Sequence, residues 1–261
     1  VSTPLPARFA ENVHRLALGI EPIDQGRGAR VAHPLDVRIE GHRAAVVGAR
    51  VSRRPSCLHA LLYRPGLGTH AEIRLSERAR RFVPRRLRVP LPDLGAGGDP
   101  PIAHRTRRVS LFPGAAYDAA GTTTGLRGRV VRGGQPMRWA RVVAVRPGTN
   151  VVVGRAFGDD RGDFLLLLGS EAMPIGDLVN PLPIEVTVFG PAVPLPPFPA
   201  ADQAHDPLWG LPLEEVPAPG LPDTVTTGET LPTGYSASVS QVVGFRPGRM
   251  LSDEVSEFVI P

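Results

Sequence analysis

The stretch 125-GLRGRVVRGGQPMRWARVVAVRPGTNVVVGRAFGDDRGDFLLLL-168 breaks into apolar runs separated by turn signals. The turns are 133-GGQP-136, 147-PGTN-150 and 158-GDDRGD-163, and strands are predicted near 125–132, 138–146, 151–157 and 163–168. Short apolar runs bounded by Gly, Pro, Asn and Asp read as strands. No segment carries a 3.6-residue apolar period over three turns, so helix is not predicted. The last turn contains Arg161-Gly162-Asp163, the tripeptide that adhesive ligands present to integrins. The choice between an adhesive loop and a hairpin turn rests on what surrounds it.

The pattern extends in both directions. Strands are predicted near 14–22, 35–40, 44–51, 57–63, 70–76, 84–90 and 108–113, and again near 184–190, 236–245 and 255–261. The 29 Gly and 30 Pro punctuate the chain so often that little room is left for helices. The segment 77-ERARRF-82 is long enough for one helical turn, which Pro84 stops. Residues 91–107, with 95-GAGGDPP-101, read as a linker or long loop. An all-β protein follows.

The halves also match each other. At an offset of 106 residues, 46-VVGARVSRRPSCLHALL-62 lies on 152-VVGRAFGDDRGDFLLLL-168 without a gap, Val37 and Ile39 fall on Val143 and Val145, and Gly28 falls on Gly134. Beyond that, 72-EIRLS-76 is similar to 185-EVTVF-189. A tandem duplication is expected.

From residue 191 the character changes. The segment 191-PAVPLPPFPAADQAHDPLWGLPLEEVPAPGLPD-223 is Pro-rich, is expected to be extended, and offers little room for paired strands. Its Pro-x-x-Pro spacings are expected by chance at this proline density. Trp209, with Leu211 and Leu213, is placed to anchor such an arm in a groove.

Charge divides along the chain. Every basic residue is arginine, with 20 Arg against 9 acids in 1–110, 8 against 7 in 111–190, and 2 against 9 in 191–261. A basic front and an acidic tail attract, within one chain or between neighbours. The dense patch includes Arg78, Arg81, Arg85 and Arg86, and the acidic targets are Glu214, Glu215, Asp253 and Glu254. These residues, with Trp209, are the expected interaction residues. Nucleic acid is not the expected partner, because only Phe82 interleaves the arginines and aromatics are 5% of the chain.

No motif for catalysis is found. Gly234-Tyr235-Ser236-Ala237-Ser238 fails the last place of a nucleophile elbow. One cysteine, Cys57, excludes an intrachain disulfide and a thiolate zinc site. Cys57 and His59 would share a strand face, with Cys57 a small buried residue. The seven His are scattered, and 66-GLGTHA-71 lacks the third glycine of a phosphate loop. Asp159, Asp160 and Asp163 lack the spacing of an EF-hand, leaving a non-EF calcium turn as the alternative to a solvated hairpin tip. No enzyme activity, cofactor or small-molecule substrate is expected. No apolar run reaches the length of a membrane span, and 1-VSTPLPARFA lacks a signal-peptide pattern. Synthesis in the cytoplasm is expected, with release or surface association only as part of a particle.

The 125–168 stretch resembles the carboxypeptidase regulatory-like domain, a transthyretin-like β-sandwich. Gly128-Arg129-Val130, Gly134-Gln135-Pro136, Ala140-Arg141-Val142 and Asp160-Arg161-Gly162-Asp163-Phe164 fill that family's G-x-V strand, turn, A-x-V strand and D-x-x-G-x-[FY] hairpin. The first half departs at the hairpin, with Arg53-Arg54-Pro55-Ser56. The resemblance implies accessory sandwiches without peptidase chemistry, and places Asp160, Gly162 and Phe164 in the turn and at the first inward position. Arg161-Gly162-Asp163 then follows from hairpin requirements. The chain is also similar in general character to small structural subunits of phage tails and of bacterial contractile injection particles. The expected architecture is all-β: two tandem transthyretin-like or Ig-like sandwiches, at 1–107 and 108–192, and a Pro-rich acidic arm with terminal strands at 193–261. The expected role is that of a non-enzymatic structural or adaptor subunit, in an oligomer or hetero-complex with other proteins. The alternative is a carbohydrate- or surface-binding accessory protein.

Overall fold

The computed structural model describes residues 15–40, 50–64, 66–92, 100–172, 181–252 and 257–261. The fold is all-β. The first half contributes β1 (Leu16–Asp24), β2 (Ala29–Arg30), β3 (Asp36–Glu40), β4 (Val51–Arg53), β5 (His59–Leu62), β6 (His70–Ser76), β7 (Arg85–Pro90), the single-turn helix α1 (Ile102–Arg105) and β8 (Thr106–Leu111). The second contributes β9 (Gly125–Arg132), β10 (Gln135–Pro136), β11 (Arg141–Val145), β12 (Val152–Phe157), β13 (Asp163–Leu167) and β14 (Leu182–Pro191). Then come β15 (Leu213–Glu215), β16 (Tyr235–Phe245), β17 (Met250–Leu251) and β18 (Glu257–Ile260). Among the described residues, no helix is long and apolar enough to cross a membrane.

Four sheets surround two main cores. One core draws Leu18 and Ile20 of β1, Ile73 and Leu75 of β6, Leu87 and Val89 of β7 and Val109 of β8. The other draws Val130 of β9, Val142 of β11, Phe164 of β13, Val186 of β14, Phe245 of β16 and Phe258 of β18. The pairing is parallel in the two halves. β1 carries β2 and β5 antiparallel and β8 parallel, as β9 carries β10 and β13 antiparallel and β18 parallel. In the facing sheets β6 lies between β3 and β7, as β14 lies between β11 and β16. The difference is β4, which pairs with β5, whereas β12 pairs with β11. Gly28 and Gly134, equivalent at the 106-residue offset, both take positive φ in their turns (64° and 73°).

Several expectations are corrected. The 77–82 segment forms a turn, not a helical one: Arg80 N–H reaches Glu77 O at 3.2 Å and Arg80 has φ 56°. The stretch read as a linker holds α1 and the start of β8. Because β8 extends the first sheet beside β1, a boundary at 107/108 would cut through a strand. Within 193–261, β15 forms a paired strand with β7 where little room for one was expected, while the terminal strands β16 and β18 join β14 and β9 of the same chain. Cys57 lies in a turn rather than on β5, with φ 63°, and is only half-buried. Most of the 44–51 strand lies outside the described residues, which take up again at Arg50, just before β4.

The run 164-FLLLL-168 owes its unbroken apolarity to β13, which is buried on both sides. Phe164 and Leu166 enter the second core, where Phe164 meets Phe258 edge-on at 5.7 Å. Leu165 enters the first core and Leu167 packs against it. A strand covered on both faces reads as a continuous apolar run. Each such buried side chain contributes about 1.5–3 kcal/mol, and here that burial ties one half to the other.

The preceding turn explains Arg161-Gly162-Asp163. Asp159 Oδ1 accepts the N–H groups of Arg161 (2.8 Å) and Asp163 (3.1 Å), so Asp159, not Asp160, caps the turn. Burial raises the Asp159 carboxyl above the usual range, against the opposing pull of those two N–H bonds. Gly162 has φ 77°, and a Cβ there would lie 2.6 Å from Val130 O. The Asp163 carboxylate accepts from Arg129 Nε at 2.7 Å. Of the tripeptide only Arg161 is exposed. Replacing Gly162 with Ala is therefore expected to cost about 1–3 kcal/mol in urea unfolding. Arg161→Ala should stay within about 0.5 kcal/mol.

His59 of β5 is 3% exposed, and among the described residues neither ring nitrogen has a hydrogen-bond partner. Burial, reinforced by the Arg53 charge, holds its pKa below the ordinary value. The unfolded chain then binds a proton at His59 more readily than the folded one. The stability tied to the neutral ring is fully present above about pH 6.5 and is lost as pH falls from there through the lower folded value. Melting temperature measured from neutral to mildly acidic pH should fall less steeply in His59→Leu than in the parent chain.

Candidate interaction site

The seam between the two halves is built around three charged side chains and a ring stack. Period two along β7 puts Arg85, Leu87 and Val89 on the inward face and Arg86 and Arg88 outward. Arg85 is fully buried. Its five N–H donors are all used: Nε to Glu214 Oε1 (3.1 Å), Nη1 to Ser110 O (2.9 Å) and Thr226 O (2.7 Å), Nη2 to Glu214 Oε2 (2.7 Å) and Val225 O (2.6 Å). Glu214 also meets Arg141 Nη2 of β11 at 3.4 Å.

Two cations on one carboxylate leave excess positive charge in the interior, and rings offset it. Phe157, stacked on Phe112 at 3.9 Å, lies 3.7 Å from the Arg141 guanidinium and 5.4 Å from that of Arg85. Burial pushes Arg141 below the ordinary arginine range, partly countered by Glu214. Phe112, Phe157, Val83, Trp139 and Leu211 form a third apolar cluster, with Leu195 and Leu208 packed on it. First half, second half and C-terminal segment all contribute.

Trp139 explains why β11 starts at Arg141 rather than at 138. It is fully buried with φ 64°, a conformation costly for a non-glycine residue and kept only where the surroundings impose it. Its N–H donates to Asp159 O (3.1 Å) and its indole to Trp209 O (3.1 Å). Its carbonyl accepts from Tyr235 Oη and Arg141 Nη1, each at 2.9 Å. Beside it, Arg138 lies 4.2 Å from the Trp209 ring and 5.2 Å from that of Trp139, and burial lowers its pKa. Across the seam Arg80 grips Asp160 with two 3.0 Å bonds.

The expected interaction residues fall into distinct groups. Arg85 and Glu214 meet inside the seam. Glu215 is exposed, 3.5 Å from Arg88 on the parallel pair of β15 with β7. Arg86 faces Glu40 (2.8 Å) and Glu72 (3.2 Å), and Arg81 faces Glu77 (2.8 Å) and His33, so both are engaged locally. Arg78 is exposed and lines a groove of about 200 Å³ with Phe82, Pro84 and Asp160. Trp209 lines a second, of about 430 Å³, with Arg132, Met137, Arg138, Asp160 and Pro194–Pro197. Asp253 and Glu254 lie outside the described residues. Asp206, not among the expected residues, pairs with Arg74 at 2.8 Å, which lowers its pKa.

The acidic segment is thus bound within its own chain. Sequence reasoning missed Arg141, Phe157, Trp139, Arg138 and the Arg80–Asp160 pair. The alternation in β7 and the placement of Arg141 in an otherwise apolar strand were the available signals. Among the described residues no group of three metal-ligating side chains occurs, and the calcium alternative meets carboxylates held by Arg80 and Arg129.

Comparisons with protein-family models, with curated proteins and with solved structures find no match to this chain.

Removing Glu214 strands two buried guanidiniums. Glu214→Ala is expected to cost about 3–5 kcal/mol, against less than about 1 kcal/mol for Glu215→Ala at its exposed pair. Chemical denaturation of the two variants checks the contrast.

Proposed function

We propose that this chain is a non-enzymatic structural or adaptor subunit of a multi-protein bacterial assembly, with a contractile phage-tail-like injection particle as the assembly in view. Its halves are taken as tandem, duplicated β-sandwiches of the transthyretin-like type, the second related to carboxypeptidase regulatory-like domains. The equivalent strand pairing in the two halves supports the duplication.

One observation carries the functional reading. The Pro-rich segment is pinned across both halves and forms, with Arg132 of β9, β10 and Met137–Arg138 beyond it, a preformed groove of Pro, Arg, Met and Trp. Those side chains suit protein recognition, since Arg, Trp and Met are enriched where proteins meet. Next to the groove, Val193 and Phe198 are each 78% exposed. Apolar side chains displayed on a rigid strap are suited to docking another subunit. The alternative, a carbohydrate- or surface-binding accessory protein, would use Trp209 as a sugar platform, but Arg138 already covers that ring.

Affinity capture from the native source, read by mass spectrometry, tests the proposal. Defined partner subunits are expected with the parent chain. The pair Val193→Ser and Phe198→Ser should reduce their recovery by about tenfold, a loss of about 1.4 kcal/mol of binding, with melting temperature unchanged. A chain that captures no partner and stays monomeric at low and high salt would overturn the reading.

A further inference from the structure

Sheet edges are where a β protein is open to other chains, and here they are not equally guarded. β16 ends its sheet, in the order β12-β11-β14-β16, and pairs with β14 along its whole length. It is 11 residues long, and 235-YSASVSQVVGF-245 contains no charge and no proline. Among the described residues, the other strands that end a sheet are six residues or shorter, and β3, β4, β8, β12, β15 and β18 each carry a charged residue. Charge, proline and shortness are the devices that keep an edge from pairing. β16 has none of them. Its outward side chains are Ser236, Ser238, Ser240, Val242 and Gly244, small enough for close approach, with Val242 63% exposed.

The geometry points to β16 as a docking edge for β16 of a second copy, in an antiparallel, two-fold pair that joins the two sheets into one. Self-pairing fits this strand because its own sequence is what it must accommodate. About a dyad at Ser240, Ser238 lies opposite Val242 of the other copy and Ser240 opposite itself. No like charges meet, whereas like charges opposite one another disfavour pairing. A two-fold contact of this kind uses the same patch twice and closes on itself. It stands apart from the assembly reading, since the strap groove plays no part in it.

The test is light scattering of the full chain after size exclusion, over about a hundredfold range of concentration, since a dimer's population follows mass action. The parent chain should shift from monomer to dimer. Ser238→Lys with Val242→Lys should remain monomeric with an unchanged melting temperature, and so should Ser238→Glu with Val242→Glu. Mixing the two variants should restore a one-to-one dimer, because opposite charges then face each other across the dyad. A parent chain that stays monomeric throughout, a dimer that survives both charged variants, or a mixture that fails to re-form would each overturn the inference. A dimer that captures no other protein would leave this contact standing and defeat the assembly proposal instead.

Discussion

Glu214 between Arg85 and Arg141 is the constraint on which the rest of the molecule depends. A buried carboxylate with two guanidiniums is an expensive way to hold a fold together, because each charge gives up its water. It is tolerated here because the donors are spent one by one. Arg85 places all five of its N–H groups on protein oxygens from β8, β15 and the 225–226 segment. Arg141 sits on the Phe157 face. The consequence is geometric: the network closes only when β7, β11 and β15 are in place together, so the C-terminal segment, the first half and the second half fix one another.

Apolar packing acts along the same seam. β13 sends alternate side chains to the two cores, and the Phe112–Phe157 stack spans the third. Dispersion and burial supply the attraction, while the charged network supplies directionality. The apolar contacts alone would allow the halves to slide, since hydrophobic burial has no preferred register. The guanidinium forks do not allow it. Trp139 shows the same logic on a smaller scale: four hydrogen bonds from different elements hold it in a left-handed conformation that its own preference opposes.

How far this was legible follows from range. Strand positions were legible because they depend on neighbours a few residues away: 70–76, 125–132 and 235–245 lie within a residue or two of their expected spans. Gly28 and Gly134, 106 residues apart, both take the positive φ that a glycine in a turn signals. Charge asymmetry was also visible, yet it treats Arg85, Arg86 and Arg88 as one patch, and the strand's two-residue period separates them into one buried and two outward side chains. Asp253 and Glu254 lie outside the described residues. β15 was not legible at all, because its pairing with β7 is parallel and crosses more than a hundred residues. Phe157 and Arg141 look unremarkable in sequence, since a cation–ring contact across a seam leaves no local pattern.

The use of arginine inside the molecule bears on its outside. A chain with 30 arginines and no lysine would seem to advertise an electrostatic surface. Much of that charge is engaged instead: Arg74 with Glu40 and Asp206, Arg80 with Asp160, Arg86 with Glu40 and Glu72, Arg129 with Asp163. Pairs of this kind set register and contribute little net attraction for a partner once satisfied. Among the described residues, the strap displays Val193 and Phe198 to solvent, and β16 ends its sheet without a charge. Under the proposed docking role, recognition rests on shape and backbone hydrogen bonding at those two places rather than on charge.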